Sequence, residues 1–149
     1  MYKRQNVSIA AGALAWVYED LGRMDDAEAL YRETLAQERA FGVDYPESYS
    51  TQQNFAMLLM KRDKLPEAAS NFEDVIARAS PRLGPQHPYI LIYRNNYGEC
   101  LTKLQRYDEA LKELRESHEG LVAAFGPDHD RVKKSLARIA TAEAAKAKA

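Results

Sequence analysis

Two pairs of adjacent amide side chains are the residues of this sequence best suited to chemistry, and that chemistry is recognition. They are Gln53-Asn54 and Asn95-Asn96. A primary amide carries two N–H donors and a carbonyl acceptor, so it can bind the C=O and the N–H of a peptide bond together. The same amides could instead bind neighbouring helices or water, and the sequence leaves that alternative open.

Residues that would support catalysis or bind a metal do not cluster in the sequence. His87, His118 and His129 are scattered, and the acidic residues beside His129 have no second group of ligands at a suitable spacing. Cys100 is the only cysteine, and no base is recognisable beside it. No phosphate-binding loop or nucleophile elbow occurs. The sequence therefore predicts no enzymatic activity, no cofactor and no metal site.

A loop signal that recurs three times defines the elements that would position the amides. It occupies residues 41–46, 83–88 and 125–130, and its glycines, Gly42, Gly84 and Gly126, are equally spaced. A constant period of this length is typical of stacked supersecondary units. Between the loops each unit reads as two helices, and the second begins with acidic residues that suit a helix N-terminus. A small residue follows the acidic residues in each unit, because the two helices cross closely there. In the three units this residue is Ala27, Ala68 and Ala110.

The turn, the loop and the spacing together resemble the tetratricopeptide repeat over about residues 7–130, and the 42-residue period resembles its kinesin light chain-like subclass. The resemblance implies an all-α fold, a right-handed superhelical α-solenoid of three helix pairs with a C-terminal capping helix. Residues 1–149 would form a single domain with repeats at about 7–46, 47–88 and 89–130 and a polar cap at about 131–147. The resemblance also implies that His87 and His129, at equivalent loop positions, have a structural role in shaping the loops. Ser117 departs from the pattern, since a small apolar residue is expected there.

The resemblance further implies that the first helix of each pair lines a concave groove that binds a peptide. By the register of the family, asparagines in this groove hold the backbone of an extended peptide. Trp16, the only tryptophan, would anchor an apolar ligand side chain, or else pack in the core. The predicted function is therefore a protein-interaction module, an adaptor or scaffold with a peptide or protein partner. Its expected groove residues are Trp16, Gln53, Asn54, Met57, Lys61, Asn95, Asn96, Glu99 and Lys103.

The charge of the chain is unevenly distributed along its length. Residues 131–149 carry six basic residues against Glu143, whereas residues 1–130 carry a net charge of −6. A basic terminal segment is typical of a solvated helix face. Binding of nucleic acid through this basic segment is a more distant alternative, because phosphate contacts dominate such affinity and the rest of the chain is acidic.

A single cysteine and the lack of an apolar span of about 20 residues predict a cytoplasmic protein without a membrane partner.

The first helix is unusual because residues 9–18 contain no charged side chain. A helix that is apolar all round is normally buried on all sides. Packing on its partner helix and contact with a ligand would still leave a surface that includes Ala10 and Val17. We therefore predict that the chain is either part of a longer array or self-associates through this helix as a homodimer.

Overall fold

Seven α-helices make up the part of the chain that the structure, a computed structural model, describes. That part is residues 2–42 and 45–149, with side chains from residue 9 onward. Within it there is no strand, so the predicted all-α repeat fold is confirmed. The helices are α1 (Tyr2–Asp20), α2 (Met24–Ala40), α3 (Pro46–Lys61), α4 (Leu65–Leu83), α5 (Pro88–Lys103), α6 (Tyr107–Phe125) and α7 (Asp130–Lys148).

The same turn follows the first helix of each pair. Gly22, Asp63 and Gln105 occupy its left-handed position with φ of 75°, 59° and 63°. Their N–H groups donate to the carbonyls of Glu19, Met60 and Thr102 at 3.0, 3.1 and 3.0 Å. The next N–H groups donate to those of Tyr18, Leu59 and Leu101 at 2.8, 2.9 and 2.9 Å. This pair of hydrogen bonds is the Schellman motif, which satisfies carbonyls at a helix C-terminus.

Two of the histidines cap helices. The Nδ1 atom of His87 accepts a hydrogen bond from the backbone N–H of Tyr89 at 3.1 Å, and that of His129 accepts one from Arg131 at 3.1 Å. An N-terminal side-chain acceptor satisfies one of the N–H groups that have no partner inside the helix. His87 and His129 therefore begin α5 and α7, as their equivalent loop positions suggested.

The chain divides into two compact units, Met1–Lys64 and Leu65–Ala149, and each is described by itself. In the first unit, Tyr31 of α2 contacts both neighbouring helices. Its hydroxyl donates to Glu19 Oε1 at 3.0 Å, and its ring centroid lies 5.9 Å from that of Phe55. Glu28, on the same helix, accepts hydrogen bonds from Lys64 and Arg62. These contacts hold α1, α2 and α3 together.

In the second unit, α5 packs closely on α6, and α7 packs on both. A Cβ added at Gly98 would lie 2.6 Å from Leu114 Cγ, so the two helix backbones approach where Gly98 has no side chain. The core continues into α7, which buries Val132, Ile139 and Ala142 against α5 and α6. The last helix is therefore an integral layer of this unit.

Candidate functional site

A cleft of about 290 Å³ lies between α1 and α3 in the first unit. Trp16 forms part of its wall and is 62% exposed, so this indole is not a core residue. The neighbouring small residues Gly12 and Ala13 leave space beside the ring. An aromatic wall next to small residues suits an apolar side chain of a ligand. The full lining is Ile9, Gly12, Ala13, Trp16, Glu47, Ser50, Thr51 and Asn54.

Only some of the predicted residues of the first unit meet at this cleft. Asn54 lines it and is exposed, so its amide is available to a ligand beside Trp16. Gln53 is buried and Met57 is half-buried, and neither lines the cleft. The ammonium group of Lys61 lies 3.1 Å from Glu19 Oε2, so its charge is compensated within the unit. The structure therefore brings together Trp16 and Asn54, but not the other three.

In the second unit, the guanidinium of Arg138 connects α7 to three predicted groove residues of α5. Its Nη1 donates to the amide oxygens of Asn95 and Asn96, both at 2.9 Å, and its Nη2 donates to Glu99 Oε2 at 2.5 Å. The side chain of Arg138 is only 10% exposed. Burial lowers the pKa of Arg138, while the nearby Glu99 opposes that effect.

The amide of Asn95 is used inside the protein. Its Nδ2 donates to Ser117 Oγ of α6 at 3.0 Å and to Ser135 Oγ of α7 at 2.7 Å. Its oxygen is held by Arg138, and the residue is 3% exposed. Buried amides are normally hydrogen-bonded in this way. Asn95 therefore ties α5, α6 and α7 together, which is the alternative that the sequence had left open, and we do not retain it as a ligand-binding residue.

A second cleft of about 310 Å³ opens between α5 and α7. Lys103, a predicted groove residue, lines it together with Lys134 of α7. Arg131 lines a smaller pocket of about 40 Å³, which shares Lys134 and Arg138 with the larger cleft. In the described part of the chain, Lys103, Arg131 and Lys134 form no ion pair. The larger cleft is lined by Glu99, Thr102, Lys103, Lys134, Ala137, Arg138 and Thr141.

Sequence reasoning missed the contribution of α7, because the helix was interpreted as a cap. The period set by the loop glycines would have revealed it, since Lys134 and Arg138 follow Ile92 and Asn96 by that same distance.

Among the described residues, no three potential metal ligands come together. None of the helices described is both long enough and apolar enough to cross a membrane.

The repeated helices have close counterparts among solved structures. Two crystal structures of kinesin light chain TPR-like repeats from Podosopora anserina, one of them a point variant, superpose with TM-scores of 0.85 and 0.84 at 20% and 19% identity over 93% of this chain. BtubC (BKLC) from P. vanneervenii superposes with a TM-score of 0.73 at 20% identity over 97%. At this identity the likeness concerns the fold. The chain spans 66%, 66% and 62% of these three structures.

Family models identify the repeat in the sequence itself. A search of curated proteins with this sequence gives no significant match. Two models described as tetratricopeptide repeat do match, one at residues 10–42 and the other at residues 47–119 and 89–148. The last of these ranges includes α7, so this helix continues the repeat pattern. The chain belongs to the tetratricopeptide repeat family.

Proposed function

We propose that this protein is an interaction module, an adaptor or scaffold without a catalytic role, and that it binds a peptide segment of a partner protein. Tetratricopeptide repeats are generally protein-interaction modules. The observation that carries the proposal is the exposure of Trp16 in a cleft with small neighbours. Tryptophan is enriched among the residues that dominate binding energy, because it buries a large apolar surface on contact.

The proposed contacts differ between the two units. In the first unit, an apolar side chain of the peptide packs against Trp16, and the Asn54 amide binds the adjacent peptide bond. In the second unit, the proposed contact residues are Asn96, Glu99 and Lys103, which line the pockets between α5 and α7. Gln53, Met57 and Lys61 are left out of the proposal because they lie outside the Trp16 cleft.

A peptide library displayed on phage and selected on the immobilised protein tests the proposal. Selected peptides are synthesised and titrated while the fluorescence of Trp16, the only tryptophan, is recorded. Contact with an apolar side chain should shift its emission to shorter wavelength. By calorimetry, Trp16→Ala should weaken binding about thirtyfold and Asn54→Ala about fivefold.

The matched control is Leu14→Ala, which truncates an exposed apolar residue of the same helix that does not line the cleft. Its affinity for the selected peptides should equal that of the unmodified protein. Equal affinities for all three variants would show that the peptides bind elsewhere and would contradict the proposed site. A library that yields no binding peptide would contradict the function itself.

A second candidate function, self-association, is favoured by an outer stripe, defined as Ala10, Leu14 and Val17 of α1 with Leu21 of the turn that follows. The three larger side chains are 44%, 42% and 66% exposed. In α3, Phe55 and Leu58 hold the positions equivalent to Leu14 and Val17, and both are buried. There α2 covers the stripe through the contact of Tyr31 with Phe55. The first helix thus exposes a surface whose counterpart on α3 is buried.

Light scattering coupled to size exclusion tests this second candidate. A homodimer through the outer stripe should become monomeric on Val17→Glu, because an unpaired carboxylate would then be buried at the interface. The control is Ala29→Glu, which adds the same charge at an exposed position of α2 and should leave the dimer intact. A protein that remains monomeric at high concentration would contradict self-association.

A further inference from the structure

We infer that this protein assembles head to tail, with the outer stripe of one copy packed on an open face of α7 in the next copy. The open face is defined as Lys133, Leu136 and Ala140, and it lies outside both pockets of the second unit. The inference rests on the self-association proposed as the second candidate function. It names the surface that the outer stripe meets.

The open face corresponds, one period later, to a surface of α5 that α6 covers. On α5 that surface consists of Leu91, Arg94 and Gly98. Leu91 and Gly98 approach α6 closely, and Arg94 forms ion pairs with two of its glutamates at 2.7 and 2.5 Å. On α7 the equivalent residues are all exposed, and Leu136, which stands at the position of Arg94, is 58% exposed. The open face is therefore a helix-packing surface without a helix on it in the described structure.

Ala140 gives the open face room for a large side chain of a packed helix. The helices α1, α3 and α5 also carry a small residue at this register position, and all three of those residues are buried. At Gly98 the side chain that fills the space is Leu114, whose Cγ would lie 2.6 Å from a Cβ added to the glycine. A helix that presents a side chain the size of valine or leucine would therefore fit on Ala140 in a similar way.

The outer stripe presents side chains of this size, and a second copy supplies it. In an antiparallel arrangement with Val17 on Ala140, Leu21 lies beside Leu136, because each is one helical turn away in opposite directions. The N–H of Leu21 donates to the carbonyl of Val17 at 3.0 Å, so the helical geometry extends to this residue. The contact would cover the apolar side chains that both surfaces expose, and their burial would stabilise it.

The charges favour pairing of the two different ends over pairing of like ends. Residues 131–149 are net positive, whereas residues 1–130 are net negative. In the antiparallel arrangement Asp20, at the end of α1, lies about one helical turn from Lys133 along the contact. Both side chains are exposed, and neither has an ion-pair partner in the part of the chain that the structure describes. Two α7 helices, in contrast, would bring their basic segments together.

A contact between two different surfaces leaves one of each uncovered at the ends of an open assembly. Such a contact adds further copies, unless the rotation between them closes a ring. The average mass of the protein should therefore rise with concentration beyond the mass of a dimer. Because two single helices form a small interface, analytical ultracentrifugation over concentrations up to about 1 mM is the suitable measurement.

Two variants that block opposite surfaces test the inference. Val17→Glu blocks the outer stripe and Ala140→Glu blocks the open face, since each would bury an unpaired carboxylate in the contact. Each variant alone should be monomeric. An equal mixture should form a dimer and nothing larger, because one intact surface of each kind remains. The matched control is Thr141→Glu, which adds the same charge at the adjacent exposed position, on the wall of the α5–α7 cleft, and should assemble like the unmodified protein.

The outcomes separate the inference from the proposals on which it rests. If Val17→Glu is monomeric but Ala140→Glu keeps the mass of the unmodified protein, the outer stripe pairs with itself, and the inference is overturned while self-association stands. Blocked variants that stay monomeric when mixed, or a Thr141→Glu control that is monomeric too, would also overturn it. Unmodified protein that is monomeric throughout would contradict self-association as well. Peptide affinity should be unchanged in both blocked variants, because neither position lines the Trp16 cleft.

Discussion

The close approach of α5 and α6 at Gly98 makes a substitution there a sensitive test of the described packing. In Gly98→Ala the new Cβ would lie 2.6 Å from both Cγ and Cδ2 of Leu114. Favourable carbon contacts begin at about 3.5 Å. Leu114 is completely buried, so it cannot move away into solvent. The added methyl group must therefore distort the core or force Leu114 from its rotamer.

The expected magnitude follows from two opposing contributions. Overpacking a well-packed core costs about 1–3 kcal/mol. Replacing glycine by alanine inside a helix contributes about 1 kcal/mol in the opposite direction. Gly98→Ala should therefore lower the free energy of unfolding by about 1 kcal/mol. Gly12→Ala has the same helical benefit without the clash, since its Cβ would meet only Thr51 Oγ1 at 3.5 Å. That variant should raise the free energy of unfolding by about 0.5–1 kcal/mol.

Urea unfolding followed by far-UV circular dichroism measures both variants. The two changes share the same helix propensity, so their difference, about 2 kcal/mol, reports the overpacking at Leu114. A double variant, Gly98→Ala with Leu114→Ala, provides the internal check. Once the leucine is truncated, the added methyl group should be neutral or stabilising. The reasoning would be refuted if Gly98→Ala stabilised the protein as much as Gly12→Ala does.

Three further predictions concern single residues. Burial opposes the ionisation of Glu28, but hydrogen bonds and charges from Lys64 and Arg32 outweigh it and hold the pKa of Glu28 below its usual 4.5. The contribution of ionised Glu28 to stability should therefore be full above pH 4.5 and be lost as the pH falls below that value. Glu28→Gln should remove this contribution to the pH dependence of the free energy of unfolding. Burial raises the pKa of Cys100 to about 11, so this thiol should react with a disulfide reagent only after denaturation, and fast labelling of the native protein would contradict its described burial. The fluorescence of Trp16 should be quenched by iodide in the free protein, and protection from quenching would contradict its exposure.

The repeat and its helices were predictable from the sequence because spacing carries that information. A glycine at the same point of every period and a small residue at each helix crossing define loops and turns whatever the other residues are. The exposure of Trp16 was not decided by the sequence, because an indole suits a core and a binding cleft equally well. The structure resolves that ambiguity in favour of exposure.

The use of Asn95 inside the protein depends on partners from two other helices, α6 and α7. Its position in the repeat is the same as that of Gln53, and nothing at the position itself separates a ligand contact from a structural bond. A signal did exist at Ser117, the polar residue that departs from the repeat pattern. The Ser117 hydroxyl donates to the Glu113 carbonyl of its own helix, and its oxygen also accepts the hydrogen bond from Asn95. The role of Arg138 was missed because α7 was considered only as a cap.

The shared turn after α1, α3 and α5 has a consequence for how such a repeat diverges. Gly22 reaches the left-handed conformation without strain, but it loses more conformational freedom on folding than any other residue type. Asp63 and Gln105 adopt the same backbone with a strain of about 1–2 kcal/mol, while their unfolded chains have fewer conformations to lose. The strain is the larger of the two effects, because a side chain at positive φ costs more than the reduced freedom of the unfolded chain returns. Two of the three turns therefore keep their geometry through the Schellman hydrogen bonds although the residue at the left-handed position is not the most stable one.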